Sequence, residues 1–286
     1  MAKLTDQNNT TPSTEIPELV PYEPPLEIIN NGSTSLIGRL KPGVVLKFPR
    51  YSWWHSETAE SHTFVRDIKH SFCVEEQILR ILGDHPRIVR FLGGSKSPRG
   101  LLLVEATDGD LQSYIDHHHA TIDISLQMKW CSQAAEAIQY IHLKGVVHSD
   151  LRPDSFLLHT TPYSSKSTPD LLLCDFGRST CGSINGRQLP DSGSGIFDPG
   201  ITSVATEAAD IERLGWIYYT IMTGPSPHET TGDSISSKKV MGDGQYPCVE
   251  GVLGGEIIRS CWEERYKNMD EVIGELNSAF KTFITD

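Results

Sequence analysis

None of the six cysteines, Cys73, Cys131, Cys174, Cys181, Cys248 and Cys261, belongs to a C-x-x-C pair. This argues against a disulfide framework and a structural zinc, and for reduced thiols in an intracellular setting, cytoplasmic or nuclear. No window approaches the roughly 18 uninterrupted apolar residues of a membrane-spanning helix. The first residues lack a basic start followed by an apolar run, so neither a signal peptide nor a transit peptide is expected. Positive charge is scarce: 25 Lys plus Arg stand against 37 Asp plus Glu, a formal charge of −12 over 286 residues. That balance disfavours nucleic acid and anionic membrane as partners. No repeat of solenoid period is present, and a monomer is expected.

What is present reads as a tail followed by one folded region. Residues 1–25, rich in Asn, Thr, Pro and Glu, have the composition of a flexible segment. Residues 26–286 suffice for one large domain or two joined lobes, with no room for a further module. Short β-favouring runs over residues 26–49 end in Val44-Val45-Leu46-Lys47-Phe48, an expected strand with one lysine inside it. Residues 63–82 place Phe72, Glu75, Ile78, Leu79 and Leu82 at helical spacing, and His85-Pro86 ends that helix. A cation on an apolar strand is costly unless it meets an anion, and Glu75, facing inward, is the natural partner of Lys47.

Strands are expected at 88–92 and 101–105, joined by a turn over 93–100. Beyond Gly109-Asp110-Leu111 the pattern turns helical: Leu126, Trp130, Ala134, Ala137, Ile138 and Ile141 share one face, and Gly145 stops the helix. Two short strands, 156–159 and 170–174, flank a polar insert at 160–169, expected to be a solvated loop. Helical spacing returns at 208–223 and 269–283. The order predicts an α+β chain: a small β-rich lobe with one helix over about residues 26–105, and a larger, mainly helical lobe over about 106–286. His117-His118-His119 reads as a solvated loop, because it lacks the i, i+4 placement of a helical metal pair. Trp53-Trp54 is expected to cover the small lobe or pack on the tail. Cys174 is expected in the core, and as a reactive thiol only if partly exposed.

The stretch His148-Ser149-Asp150-Leu151-Arg152-Pro153-Asp154-Ser155, followed by Asp175-Phe176-Gly177, resembles the H-R-D-x-x-x-x-N catalytic loop and D-F-G metal-binding loop of protein kinases. The resemblance runs over about residues 26–283 and implies the bilobal protein-kinase fold. It implies ATP and Mg²⁺ (or Mn²⁺) as cofactors, and Ser or Thr hydroxyls of protein substrates as acceptors. Carried over residue by residue, it makes Asp150 the base and Arg152 the cation at the γ-phosphate. Lys47 and Glu75 become the ion pair that orients the phosphates, with Asp175 and Ser155 at the metal. Gly32 and Ser33 fall in the phosphate loop, Ile37, Val45 and Leu157 on the adenine walls, and Glu105 and Ala106 at the hinge. Asp110 falls at the ribose position, and Asp210 matches the aspartate that anchors the catalytic loop.

Several positions depart from the family pattern. Ser155 replaces the metal-binding Asn, which at a cost on the order of 10 to 1000-fold in rate leaves weak catalysis attainable. Ser149 replaces the arginine that clamps a phosphorylated activation loop, so phosphorylation of Ser192 or Ser194 is not expected to switch the protein on. In the glycine-rich loop only Gly32 remains. No A-P-E closes the activation segment, where Phe197-Asp198-Pro199 stands nearest, and its arginine partner is replaced near Met269. These departures keep two alternatives open: a nucleotide-binding pseudokinase that acts as a scaffold, and a small-molecule kinase on the same fold.

Overall fold

The computed structural model describes residues 26–50, 59–161, 168–184, 205–224 and 246–285. The tail, Trp53-Trp54, the middle of the polar insert, Ser192, Ser194 and Phe197-Asp198-Pro199 lie outside the described residues. The chain opens with β1 (Glu27–Asn31), β2 (Ser35–Lys41) and β3 (Val44–Pro49), followed by the helix α1 (Ala59–Leu82) and by β4 (Phe91–Lys96) and β5 (Arg99–Val104). The five strands form one antiparallel sheet in the order β1-β2-β3-β5-β4. Directly opposed residues of an antiparallel pair share a face. The registers Ile37↔Lys47, Arg39↔Val45, Lys47↔Leu101 and Val45↔Leu103 therefore put Ile37, Val45 and Lys47 on one side of the sheet.

Helix α1 buries Val74, Ile78, Leu79 and Leu82, which recur with the 3.6-residue period. Each aliphatic side chain so removed from water contributes about 1.5–3 kcal/mol. The strand expected at 88–92 starts later. Ile88 makes only an isolated parallel bridge to Leu173, and Val89 N donates to Leu173 O at 2.9 Å. The apolar run Ile88-Val89 is thus a buried tie to the larger lobe, and pairing with β5 begins only at Phe91.

Helix α2 (Leu111–His118) is capped by Asp110, and a 3₁₀ turn spans His119–Thr121. The expected loop at His117-His118-His119 is therefore the end of a helix, with His117 Nδ1 and His118 Nδ1 bonded to carbonyls one turn back. Helix α3 (Ile124–Leu143), capped by Asp123, buries Trp130, Ala134, Ala137, Ile138 and Ile141 along the expected face. Short strands β6 (Val146–Val147), β7 (Phe156–His159), β8 (Asp170–Leu173) and β9 (Thr180–Cys181) follow, with β7 paired to β8 and β6 to β9. Helices α4 (Glu207–Thr223), α5 (Gly255–Trp262) and α6 (Met269–Thr285) complete the larger lobe. Helix α5 was absent from the sequence reading, although its buried Ile257, Ile258, Cys261 and Trp262 repeat with helical spacing. Among the described residues no helix is long and apolar enough to cross a membrane.

Candidate active site

The two lobes meet at Lys47. Its ammonium donates to Glu75 Oε1 at 2.9 Å and Oε2 at 2.7 Å, and to Asp175 Oδ1 at 2.6 Å. An ammonium has three protons, and all three are used. Lys47 comes from β3, Glu75 from α1, and Asp175 from the turn after β8, so one cation joins sheet, helix and larger lobe. Burial by itself opposes the charge on Lys47, which is 8 % exposed. The carboxylates of Asp175 and Glu75 outweigh that burial and hold its pKa above the ordinary lysine value. Glu75, 2 % exposed, is pushed up by burial, and Lys47 pulls it back. Asp175 is held down at about 2, mainly by Lys47 against the opposing effect of burial. Its side chain remains 50 % exposed at the cleft.

Asp175 has φ of 63° and Ser149 φ of 69°, the left-handed region that non-glycine residues enter at a cost of order 1–3 kcal/mol. The surroundings compensate in both places. Asp210, fully buried on α4, accepts from His148 N at 2.8 Å, Ser149 N at 3.0 Å and His142 Nε2 at 3.0 Å. This carboxylate therefore holds the loop that starts at His148 by its backbone. His148 Nε2 donates to Cys174 O at 3.0 Å, and its ring lies 5.1 Å from that of Phe176. On the α1 side, Ser71 Oγ donates to Gly177 O at 2.9 Å. Both loops are thus pinned from behind, with Asp150 and Asp175 left at the cleft.

Asp150 lies between two guanidinium groups, with Arg152 Nε 3.8 Å from Oδ1 and Arg178 Nε 3.7 Å from Oδ2. Arg152 Nε also lies 3.3 Å from Asp154 Oδ1. Burial raises the Asp154 carboxyl; Arg152 opposes this, while Asp150, Asp175 and Asp110 add to it. Carboxylates and cations therefore converge on one floor. Ser155, 2 % exposed, donates from Oγ to Asp150 O at 3.1 Å. Its hydroxyl closes the loop from Asp150 to Ser155 on itself.

The remaining residues from the sequence reading divide into two groups. Ile37 and Val45 share the sheet face of Lys47, and Leu157 lies on β7 of the larger lobe, with Ile37 and Leu157 only partly buried. Ala106 follows β5 in the segment between the lobes and is partly exposed. Others carry structural work that motif reading missed. Gly32 N donates to Ser35 O at 2.9 Å, which closes the β1–β2 turn that contains the exposed Ser33. Glu105 accepts from Arg39 Nε at 2.7 Å and from Gly43 N at 3.2 Å, while Arg39 Nη1 reaches Glu27 at 2.7 Å. The Arg39 guanidinium holds the Glu105 carboxyl below the usual carboxylate range.

Asp110 accepts from Ser113 N and Ser113 Oγ, both at 2.8 Å, as the N-cap of α2. An Asp three residues before a Ser at the start of an apolar helical run is a capping signal legible in sequence. No such signal marked Ser71, Ser179 or Arg178, whose contacts join distant segments. Burial, with Asp175 adding to it, pushes the Cys174 thiol well above its ordinary value. Cys174 is partly exposed, and this upward shift disfavours the thiolate, the reactive form.

The protein kinase domain family matches residues 57–285, so the chain belongs to the protein kinase family. The match starts after β3, and geometry alone attaches Lys47 and the first three strands to it. Aurora kinase B of Drosophila melanogaster is 29% identical over 217 residues, 71% of this chain and 62% of that protein. The CBL-interacting serine/threonine-protein kinase 24 of Arabidopsis thaliana is 32% identical over 171 residues, 55% of this chain and 35% of the relative. Serine/threonine-protein kinase PDK1 of Cryptococcus neoformans var. grubii is 27% identical over 169 residues, 55% of this chain and 13% of its own length. The chain thus spans less than two thirds of each of these relatives. Family and bilobal α+β fold agree with what the motifs implied.

Proposed function

We propose that the protein transfers the γ-phosphoryl group of ATP to Ser or Thr hydroxyls of protein substrates. The observation that carries this reading is the Lys47 ammonium held between Glu75 and Asp175. A buried cation with one carboxylate behind it and a half-exposed carboxylate beside it suits a polyphosphate carrying a divalent ion. Phosphoryl transfer asks mainly for positioning and charge compensation, and each residue has a place in that task. Lys47, steadied by Glu75, takes the α- and β-phosphates, and the free edge of Asp175 suits Mg²⁺ or Mn²⁺. The ion would neutralise charge on the β- and γ-phosphates and keep water in the rest of its shell. Ile37, Val45, Leu157, Glu105 and Ala106 surround the base, with Asp110 near the sugar and Gly32 and Ser33 above the phosphates.

Asp150 accepts the proton of the substrate hydroxyl as its oxygen bonds to the γ-phosphorus. The bond from that phosphorus to the β–γ bridging oxygen breaks, and ADP leaves. Arg152 balances charge on the phosphoryl group in flight. Acceptor choice rests on the similarity to serine/threonine-protein kinases.

One observation favours a second reading, a pseudokinase that binds nucleotide without transfer. Ser155 Oγ is buried and donates to Asp150 O, so a metal ligand is weakened where the family has Asn. Labelled ATP with Mg²⁺ or Mn²⁺, supplied to wild type and Asp150→Asn with a generic protein acceptor, separates the two. Transfer by wild type, lost in Asp150→Asn, is expected. ATP that raises the melting temperature without label in any acceptor would establish the pseudokinase.

A further inference from the structure

Residues 106–286 carry 13 Lys plus Arg against 25 Asp plus Glu, so the chain's negative charge collects in the larger lobe. Within it four aromatic side chains that take no part in the cleft pack together, with Trp262 of α5 at the centre. Tyr246 stacks on Trp262, with centroids 5.0 Å apart and planes 12° apart, and Trp216 and Tyr219 of α4 lie 4.6 Å and 5.6 Å from it. Trp262 is 2 % exposed and forms the floor, while Tyr246 is 39 % exposed and Trp216 and Tyr219 are only partly buried. The Tyr246 hydroxyl donates to Trp262 O at 2.7 Å, which keeps its ring from turning away.

Carboxylates border these rings. Burial raises the Tyr246 hydroxyl above its ordinary pKa, and the charges of Glu212, Glu264 and Glu263 add to the rise, so all three lie near that ring. Glu263 pairs with Arg265, and Glu212 has a partner of its own. Glu264 is exposed, and among the described residues no cation pairs with it. Its backbone, at φ 52°, is held by Glu264 N donating to Cys261 O at 3.2 Å and Arg265 N to Ser260 O at 2.9 Å. Among the described residues the cations that lie over rings are Lys47, Arg80 and Lys144, on Phe72, Phe91 and Tyr140. The electron-rich faces of Trp216, Tyr219 and Tyr246 thus have an acidic border and, among the described residues, no cation over them.

We propose that Trp216, Tyr219, Tyr246 and Glu264 form a docking surface for a basic segment of a partner protein, with an arginine side chain laid on the rings and paired with the carboxylate. A guanidinium is planar and weakly hydrated, so it stacks on aromatic faces while its N–H groups meet a carboxylate at the edge. The charge of the lobe adds attraction over a longer range and favours encounter with basic chains over acidic ones. None of these residues belongs to the nucleotide site, so the surface serves a kinase and a pseudokinase alike, and its test needs no phosphoryl transfer.

The test is calorimetric titration of the full chain, without nucleotide and at physiological ionic strength, with short oligoarginine, oligolysine and oligoglutamate peptides. Wild type should bind oligoarginine, oligolysine more weakly, and oligoglutamate least. Tyr246→Ala should weaken oligoarginine by about two- to thirtyfold, the range of a cation–π contact, and Tyr246→Phe, which keeps the ring, should bind nearly as wild type does. Glu264→Gln should weaken it by about two- to fivefold, while Asp116→Asn, which removes an exposed charge on α2 outside the ring cluster, should leave it unchanged. No binding by wild type, a preference for oligoglutamate, full affinity in Tyr246→Ala, or equal losses in Glu264→Gln and Asp116→Asn would each overturn the proposal. Should Tyr246→Ala fail to fold, the contrast between Glu264→Gln and Asp116→Asn decides by itself, because both changes lie at the surface.

Discussion

A lysine ammonium shut away from water is stable only while carboxylates surround it, and Lys47 has Glu75 and Asp175 within 2.9 Å. The pairing with Glu75 was readable in sequence from a lone cation on an apolar strand and an inward glutamate on the next helix. The third partner was not, because Asp175 lies 128 positions further along the chain. Removing one member of a buried pair leaves the other uncompensated, at about 3–5 kcal/mol. Lys47→Met should therefore lower the urea-unfolding free energy by about that amount. Lys47→Met/Glu75→Leu should recover most of the loss, since the stranded carboxylate is gone too. Additive losses in the double variant would contradict the coupling. At the same scale Ser155 was legible only as a departure from the family: its residue type was visible, and its hydrogen bond to the Asp150 carbonyl was not.

Elements were legible where their burial follows a simple period. Helix α1, the apolar face of α3, the strands β7 and β8, and helices α4 and α6 fall close to where spacing places them. The misses have one cause. Ile88-Val89 reads as strand because it is apolar, yet its backbone bonds go to Leu173 and leave β4 to begin at Phe91. In α5 the Gly254-Gly255 start masks a short helix that packing against α4 sustains.

Between elements, Gly177 sits under a tight constraint. A Cβ there would stand 2.2 Å from Ser71 Oγ, so Gly177→Ala must push Ser71 aside and break its bond to the Gly177 carbonyl. Overpacking of this kind costs about 1–3 kcal/mol. The melting temperature of Gly177→Ala should drop accordingly, and Ser71→Ala in the same chain should return part of the loss. If Ser71→Ala adds to the damage instead, steric pressure is not its source.

At the scale of the molecule the site exists only between lobes. Lys47 and Ile37 hang from the sheet, while Asp150, Arg152, Leu157 and Asp175 rise from the larger lobe. A ligand that bridges the cleft stabilises both lobes at once. ATP with Mg²⁺ at a hundred times its dissociation constant stabilises the folded state by about 2.7 kcal/mol, which for a domain this size raises the melting temperature by about 5–10 °C. Scanning calorimetry should show that rise in wild type and lose most of it in Asp175→Ala. An undiminished rise in that variant would place the nucleotide elsewhere.

The sequence by itself determined the chemical types and their order along the chain: a lysine on a strand, a glutamate on a helix, an aspartate in the loop after His148, a D-F-G aspartate and the aspartate Asp210. Those follow from residue identity and from burial that repeats over a few positions, which neighbours in the chain set. Tertiary structure alone decided which oxygen each cation meets, that Arg152 and Arg178 approach different oxygens of Asp150, and that Glu105 turns to Arg39. Such contacts depend on how separate segments pack once their loops close, and no local period encodes the distance between side chains that only folding brings together.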